Sequence, residues 1–294
     1  MEYLIVVNKP ISQKDESKLS EFGEQIRVPK EKDIAELIYE KYQGQDAIVG
    51  VGGDGTHSKV AQASSKMGVP AIMVPYGSGN DFGRSIGHFS FDSYIDAMKS
   101  GELEKTVSDI IEFEADGEKY CSIVGIHLGL FADASDLRGV WSFLKKHFVS
   151  STYLAKGVWD ITRSKPQKMK ITLDGDSYDI SLWAGQVANT PTTGGGKVVM
   201  PDVSINDGYA DLFLMDGNSP KRKLPGYTTK LDRMDEIPIM IKFNNVKEFE
   251  IEGSDMPLKF AYDGEYVGTV PSLHGRVVPD RLELYVPGGG LGSG

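Results

Sequence analysis

The sequence predicts two units of different architecture: an N-terminal doubly wound α/β domain and a C-terminal antiparallel β-sandwich domain. Three observations carry this reading. Short apolar runs alternate with helical patterns over the first third of the chain. Two glycine-rich turns, Gly52-Gly53-Asp54-Gly55-Thr56 and Pro75-Tyr76-Gly77-Ser78-Gly79-Asn80-Asp81-Phe82-Gly83-Arg84, each leave such a run and lead toward a helix. From about Leu103 onward strand-like stretches dominate, several bounded by Asp-Gly pairs. A length of 294 residues accommodates about two domains, each able to bury a core. The expected boundaries are 1–112 and 113–286, with the glycine-rich 287–294 as a flexible tail.

Met1 to Asn8 reads as a first strand; with no basic residues ahead of its apolar ones it does not read as a signal peptide. Asp33 to Tyr42 sets Ile34, Leu37, Ile38 and Tyr42 on one helical face. A strand over 46–51 follows, then a helix from about Thr56 with Val60, Ala63 and Met67 on one side, ended by Gly68. After a strand over 70–74 and the second glycine turn, a helix over 91–99 aligns Phe91, Tyr94, Ile95 and Met98 behind the N-cap candidate Ser90. Apolar strands alternating with such helices imply a parallel sheet covered on both faces. Ligands bind such sheets beyond the carboxyl ends of the strands, where both glycine turns fall. Later strands are expected at 106–114, 119–124, 168–173, 178–188, 209–214, 238–243, 248–252, 258–262 and 281–286, interrupted by one helical segment over about 134–163. Asp174-Gly175, Asp216-Gly217 and Asp263-Gly264 are turn pairs of the kind antiparallel hairpins use.

The chain is 40% hydrophobic and 25% charged, an ordinary balance for a globular protein. No apolar run approaches the roughly 18 residues that span a bilayer. Cys121 is the single cysteine, so no intrachain disulfide can form, which fits a reducing cytoplasm. The five histidines, His57, His88, His127, His147 and His274, show no paired metal-ligand spacing and give no zinc site. A net charge of −10 disfavours nucleic acid and wholesale attraction to an anionic membrane. Three basic stretches, Lys145-Lys146-His147, Lys165 to Lys170 and Lys221-Arg222-Lys223, read either as solvated surface or as a membrane-facing patch on an acidic protein.

Two glycine-rich turns at neighbouring strand ends hold backbone N–H groups and carboxylates around one crevice, which is how a protein grips a polyphosphate and its magnesium ion. Glycines let the backbone approach phosphate oxygens. Thr56 can offer its hydroxyl and a helix-start N–H, and Asp54 can orient Mg²⁺ directly or through water. The alternative is a plain strand-to-helix turn with Asp54 as N-cap, which leaves the second turn unexplained. Gly50 to Gly55 also satisfies G-x-G-x-x-G, but the next strand ends Val74-Pro75-Tyr76 with no acid for a ribose, and Asp54 inside the loop would repel a pyrophosphate unless a metal ion lay between. A dinucleotide oxidoreductase is therefore disfavoured. Gly194-Gly195-Gly196-Lys197 is followed by Val198, so it is no Walker loop.

The two turns resemble the diacylglycerol kinase catalytic-domain family, which includes bacterial lipid kinases and sphingosine kinases and whose pattern is GGDGT followed by P-x-G-T-G-N-D-F-A-R. The first motif is shared with NAD kinases and phosphofructokinases. The second is much more specific and is matched here with Ser78 for Thr and Gly83 for Ala. The likeness continues in Gly129-Leu130-Phe131-Ala132-Asp133, in Gly194-Gly195-Gly196 with Pro201 and Asp207-Gly208-Tyr209, and in Asp263-Gly264-Glu265. It implies an α/β nucleotide domain and a β-sandwich domain with the active site between them. It also implies that Gly52, Gly53, Asp54, Gly55, Thr56, Gly77, Ser78 and Asn80 hold ATP and that Asp54 and Asp81 organise Mg²⁺. Glu265 would be the base that takes a proton from the attacking lipid hydroxyl. Asp207, with the backbone carbonyls of Ser204 and Tyr209, resembles the position of a second, structural Mg²⁺; a turn without metal reads equally well. Asp133 either contacts the head group of an acceptor lipid or caps the following helix.

Departures accompany the likeness. The family's opening N-P-x-S-G appears as Asn8-Lys9-Pro10-Ile11-Ser12, displaced and without its glycine. A threonine expected before the first long helix is replaced by Val28-Pro29, and the glutamate three residues past the GGDGT threonine is Lys59. Lys59 then either touches a phosphate or lies on the surface. The expected function is transfer of the ATP γ-phosphoryl group to a diacylglycerol-like or sphingoid lipid, drawn from a membrane by a cytoplasmic, peripherally associated protein. Exposed edge strands would leave room for a homodimer. Competing readings are an NAD-kinase-like phosphotransferase and a non-catalytic nucleotide- or lipid-binding member of the same fold.

Overall fold

The computed structural model describes residues 1–29, 31–77, 79–136, 163–198, 200–224 and 237–288. Ser78, Lys145-Lys146-His147, most of the expected helix over 134–163 and tail residues 289–294 lie outside the described residues.

The first unit follows from its apolar pattern. It runs β1 (Tyr3–Val7), α1 (Gln13–Leu19), β2 (Gln25–Arg27), α2 (Ile34–Lys41), β3 (Ala47–Gly52), α3 (Asp54–Met67), β4 (Ala71–Pro75), α4 (Asp81–Ser85) and α5 (Phe91–Ser100). The strands are parallel, in the order β2-β1-β3-β4. All of β3 is buried, because helices cover both faces of the sheet. Leu4, Val6, Ile48 and Met73 pack with Ile34, Ile38, Val60 and Ala63 on one side. Val49, Val51, Ile72 and Val74 pack with Leu19, Tyr94, Ile95 and Met98 on the other. A methyl on Gly50 would lie 2.7 Å from Val60 Cγ2, so α3 rests directly on β3. Ser90 caps α5 through Ser93 N as expected; Asp33, expected inside a helix, instead caps α2 through Ala35 N and Glu36 N. The unexpected α1, β2 and α4 have 7, 3 and 5 residues, too few for periodicity to register.

The second unit comprises β5 (Leu103–Ala115), β6 (Glu118–Ser122), β7 (Gly125–Gly129), α6 (Leu130–Ser135), β8 (Gln167–Leu173), β9 (Asp176–Ala188), β10 (Thr192–Thr193), β11 (Lys197–Val198), β12 (Ala210–Asp216), β13 (Met240–Val246), β14 (Glu248–Gly253), β15 (Leu258–Tyr262), β16 (Glu265–Val270) and β17 (Ser272–Pro287). Antiparallel neighbours in the order β16-β15-β7-β9-β8-β14-β17 fold around one core, with Ile126, Ile171, Leu182, Phe249, Phe260 and Leu273 at its centre. Asp174 and Gly175 (φ 48° and 98°), and Asp263 and Gly264 (φ 45° and 81°), supply the left-handed pairs of tight hairpins. Asp116-Gly117 does the same between β5 and β6. Asp216-Gly217 does not: β12 pairs with the distant β13, and Gly217 N donates to Ser181 O at 2.7 Å.

The strand expected over 281–286 is only the end of β17. That strand pairs with β14 and β5 in the sandwich, bends at Asp280 (φ 51°), then runs parallel to β4 through Leu284 and Ala71. The two units therefore share one continuous 15-stranded sheet, and Leu282, Leu284 and Val286 complete the core of the α/β unit. Among the described residues no helix is long and apolar enough to cross a membrane.

The turn between β15 and β16 is fastened from inside. The buried Asp263 carboxylate accepts from Ser122 Oγ at 2.7 Å, Val124 N at 2.8 Å, and Ile123 N and Gly125 N at 3.1 Å. Burial pushes this carboxyl's pKa up, while the hydroxyl and amide donors pull against that push. Asp263→Ala would strand all of these donors in a buried corner. The unfolding free energy is expected to fall by about 3 kcal/mol, read as a lower urea midpoint at unchanged slope. A midpoint equal to the parent's would refute this account of the corner.

Candidate active site

Both glycine turns emerge at the carboxyl ends of adjacent strands, with Gly52 of β3 level with Pro75 of β4. Tyr76 N donates to Gly52 O at 2.6 Å and ties the second turn to the first. A methyl on Gly77 would sit 2.6 Å from Gly53 Cα, so a side chain there would force the turns apart. Asn80, at φ 55°, donates its Nδ2 to Gly77 O at 2.9 Å and holds the turn from within. Its Oδ1 is buried with no hydrogen-bond partner among the described residues.

Behind Gly53, α3 begins with no side chain capping its first amides. Uncapped amides behind a glycine turn form a cradle suited to phosphate oxygens. Lys9 Nζ stands beside it, 3.6 Å from where a methyl on Gly53 would be. Thr56 departs from expectation. It is buried, its N–H donates to Gly53 O at 2.9 Å, and its Oγ1 accepts from Asn8 Nδ2 at 3.0 Å. The hydroxyl expected to meet phosphate therefore braces the turn against the end of β1.

Asp54 and Asp81 flank Gly79, where a methyl would lie 2.7 Å from Asp54 Oδ2 and 3.8 Å from Asp81 Oδ2. Half-buried Asp54 accepts from Phe82 N at 3.1 Å. Burial first, and the Asp81 charge second, push its pKa up to about 6. Asp81 is engaged from the other unit: Gly195 N and Gly196 N donate to its two oxygens at 2.9 and 2.6 Å. The triglycine Gly194-Gly195-Gly196 lies at φ 64°, 89° and 89°, a left-handed run that only glycine adopts without strain and that turns successive amides toward one anion.

Glu265, the first residue of β16, reaches across from the sandwich: a methyl on Gly55 would meet its Oε1 at 2.8 Å. An acid of the second unit thus closes over the first turn of α3. Burial pushes its carboxyl up, Lys59 pulls it down, and the net direction is up. Lys59 is neither over the cradle nor a free surface residue. Its Nζ ion-pairs with Asp33 Oδ2 at 3.4 Å and donates to Tyr262 OH at 3.2 Å.

The other expected positions have partners of their own. Asp133 is in the first turn of α6, whose N-cap is Gly129, so it is not the cap. Its carboxylate receives Lys259 Nζ at 2.9 and 3.0 Å, a partner the sequence does not announce. Asp207 accepts from Tyr209 N at 3.0 Å, Ser204 Oγ donates to Asn206 Oδ1 at 2.9 Å, and the adjacent Gly208 N donates to buried Asp109 at 2.7 Å. The described residues hold no group of three His, Cys, Asp or Glu placed to bind a metal. At the glycine turns, a nucleoside triphosphate with its divalent cation fits what is present: a cradle that side chains would fill, uncapped amides, the Lys9 ammonium, and a half-buried carboxylate that a cation would relieve.

Two family models match the chain: the diacylglycerol kinase catalytic domain over residues 8–109, and the YegS C-terminal NAD kinase beta sandwich-like domain over residues 141–286. A protein named diacylglycerol kinase from Bacillus subtilis (strain 168) is 27% identical over 233 residues, covering 77% of this chain and 73% of its own. A "probable lipid kinase YegS-like" from Stenotrophomonas maltophilia (strain K279a) is 24% identical over 272 residues, covering 88% and 84%. A solved structure of a diacylglycerol kinase from Bacillus anthracis str. Sterne shares the fold with a TM-score of 0.69 at 15% identity, over 97% of each chain.

The raised Asp54 pKa has a consequence for stability. Between its ordinary value of 3.8 and about 6 the folded protein binds the extra proton, so stability without ligand falls as pH rises through that window. Asp54→Asn removes an ionised group from this crowded place. The unliganded variant is expected to gain about 1–2 kcal/mol at neutral pH and to lose the slope across the window. Thermal melting at several pH values checks this; a variant that melts below the parent at neutral pH would overturn it.

Proposed function

Because the chain belongs to the diacylglycerol kinase catalytic-domain family, we propose that it is a lipid kinase that transfers the ATP γ-phosphoryl group to the hydroxyl of a diacylglycerol-like or sphingoid lipid. The observation that carries this reading is Glu265 Oε1 set against Gly55. A carboxylate of the sandwich meets the first turn of α3, beside which, in this reading, an acceptor hydroxyl would stand to attack the terminal phosphorus. Phosphoryl transfer asks the protein chiefly for positioning and charge stabilisation.

Gly52, Gly53, Gly55, Gly77 and Asn80 would line the triphosphate, with the Lys9 ammonium adding charge and Thr56 bracing the turn. Asp54, supported by Asp81, would hold Mg²⁺, which neutralises charge on the transferring group when bound. Glu265 would accept the hydroxyl proton. Asp133, paired with Lys259, would stand toward the acceptor head group, and Asp207 with the Ser204 and Tyr209 carbonyls toward a second cation. In this reading 1–112 serves the nucleotide and 113–286 the lipid, apart from the end of β17. The insoluble acceptor would bring a cytoplasmic protein to the membrane surface.

Incubation with γ-labelled ATP and Mg²⁺ across diacylglycerols, sphingoid bases, phosphatidylglycerol and NAD⁺ is expected to label a lipid. Asp54→Ala should lower kcat by about 10²–10³, and Glu265→Gln by about 10²–10⁴ with nucleotide binding kept. Label in NAD⁺, nucleotide binding without transfer to any acceptor, or full activity in either variant would sink the proposal.

A further inference from the structure

We infer that Lys59 is a positioning residue that holds the Glu265 carboxylate ionised over the phosphate cradle, and so extends activity toward low pH. This rests on the reading of Glu265 as the base. Gly55 and Lys59 are four residues apart on α3 and share one face of the helix. Glu265 Oε1 lies against the first of them. The second reaches Tyr262, the residue directly opposite Glu265 across the β15–β16 hairpin. The lysine thus touches the same hairpin end that carries the carboxylate. Its third contact is Asp33, the N-cap of α2, so one ammonium joins α2, α3 and the hairpin.

The charges around Glu265 give this contact a chemical role. From its own turn Asp263 faces it, from α2 Asp33, and from α3 Lys59; the two carboxylates favour the protonated acid and the lysine favours the anion. Burial works against the Lys59 ammonium, but Tyr262, Asp33 and Glu265 outweigh it and keep the lysine charged. The Lys59 side chain is 21% exposed, so its charge acts on Glu265 through a partly dry gap. Without it, Glu265 would face Asp263 and Asp33 alone, hold its proton to higher pH, and lose its capacity as a base at the acid end of the profile.

The test compares pH–rate profiles of the parent, Lys59→Met, Lys59→Arg and Tyr262→Phe with the lipid acceptor that the labelling panel identifies. Relative to the parent, Lys59→Met is expected to lose about threefold or more in kcat/KM near pH 6, yet stay within about twofold near pH 8.5. Lys59→Arg should restore the parent profile. Tyr262→Phe, which removes the tether and keeps the charge, should leave the position of the acid limb unchanged. A second readout needs no acceptor: the side-chain carboxyl carbon resonance of Glu265, assigned by its loss in Glu265→Gln, should titrate at higher pH in Lys59→Met. If Lys59→Met does not fold, Lys59→Gln carries the same comparison. An equal loss at every pH, a rise confined to the KM for ATP, or an unmoved Glu265 titration would overturn the inference in favour of a structural brace or a phosphate ligand. Should Glu265→Gln keep parental activity, the base assignment fails instead; an inactive Glu265→Gln beside an unshifted Lys59→Met profile fails this inference alone.

Discussion

The site depends on the approach of two backbones. Gly53 and Gly77 lie so close that a side chain on Gly77 would collide with the facing turn, and this contact exists only because β3 and β4 are adjacent, parallel and level at Gly52 and Pro75. The approach brings the uncapped start of α3 beside the second turn and draws Asp54 and Asp81 to either side of Gly79. Two carboxylates packed together with little water are mutually unfavourable, and Asp54 registers this in its raised pKa. The arrangement stores an electrostatic cost that a bound cation would relieve.

A second constraint is the distance between the units, because cradle and acid belong to different halves. Polar contacts set much of it. The Asp81 carboxylate grips the Gly195 and Gly196 amides, Lys59 reaches Tyr262, and Asp263 locks the corner from which Glu265 projects. The covalent route is β17, which passes from the sandwich into the parallel sheet. Charge-assisted bonds to backbone amides are short and directional, which suits a joint that must place one carboxylate oxygen.

Much of the architecture was legible from local pattern. The apolar runs that became β3 and β4, the helical stripe of α5 and the Asp-Gly pairs at 174 and 263 each carry their structure in a few consecutive residues. Asp54, Asp81 and Glu265 were legible because their motifs are compact, and the fold sets the two aspartates beside Gly79 and the glutamate against Gly55. Other expectations failed where a residue's role depends on what lies opposite. Thr56 turns to Asn8, Lys59 reaches Tyr262 and Asp33 instead of a phosphate or open solvent, and Asp216-Gly217 leads into no hairpin. Lys9 lay in an opening loop whose displaced pattern gave it no role, and the shortest elements gave no period.

By itself, then, the amino-acid order determined the alternation of strands and helices, the change to antiparallel texture, and the glycines that let two backbones approach, because each is written within one turn or one strand. Tertiary structure alone decided which group faces which. Gly195 meets Asp81 across 114 positions, Lys259 meets Asp133 across 126, and Lys59 meets Tyr262 across 203. Contacts at such separations leave no periodicity in the chain; they arise only when the shared sheet has formed and charges drawn partly out of water find partners.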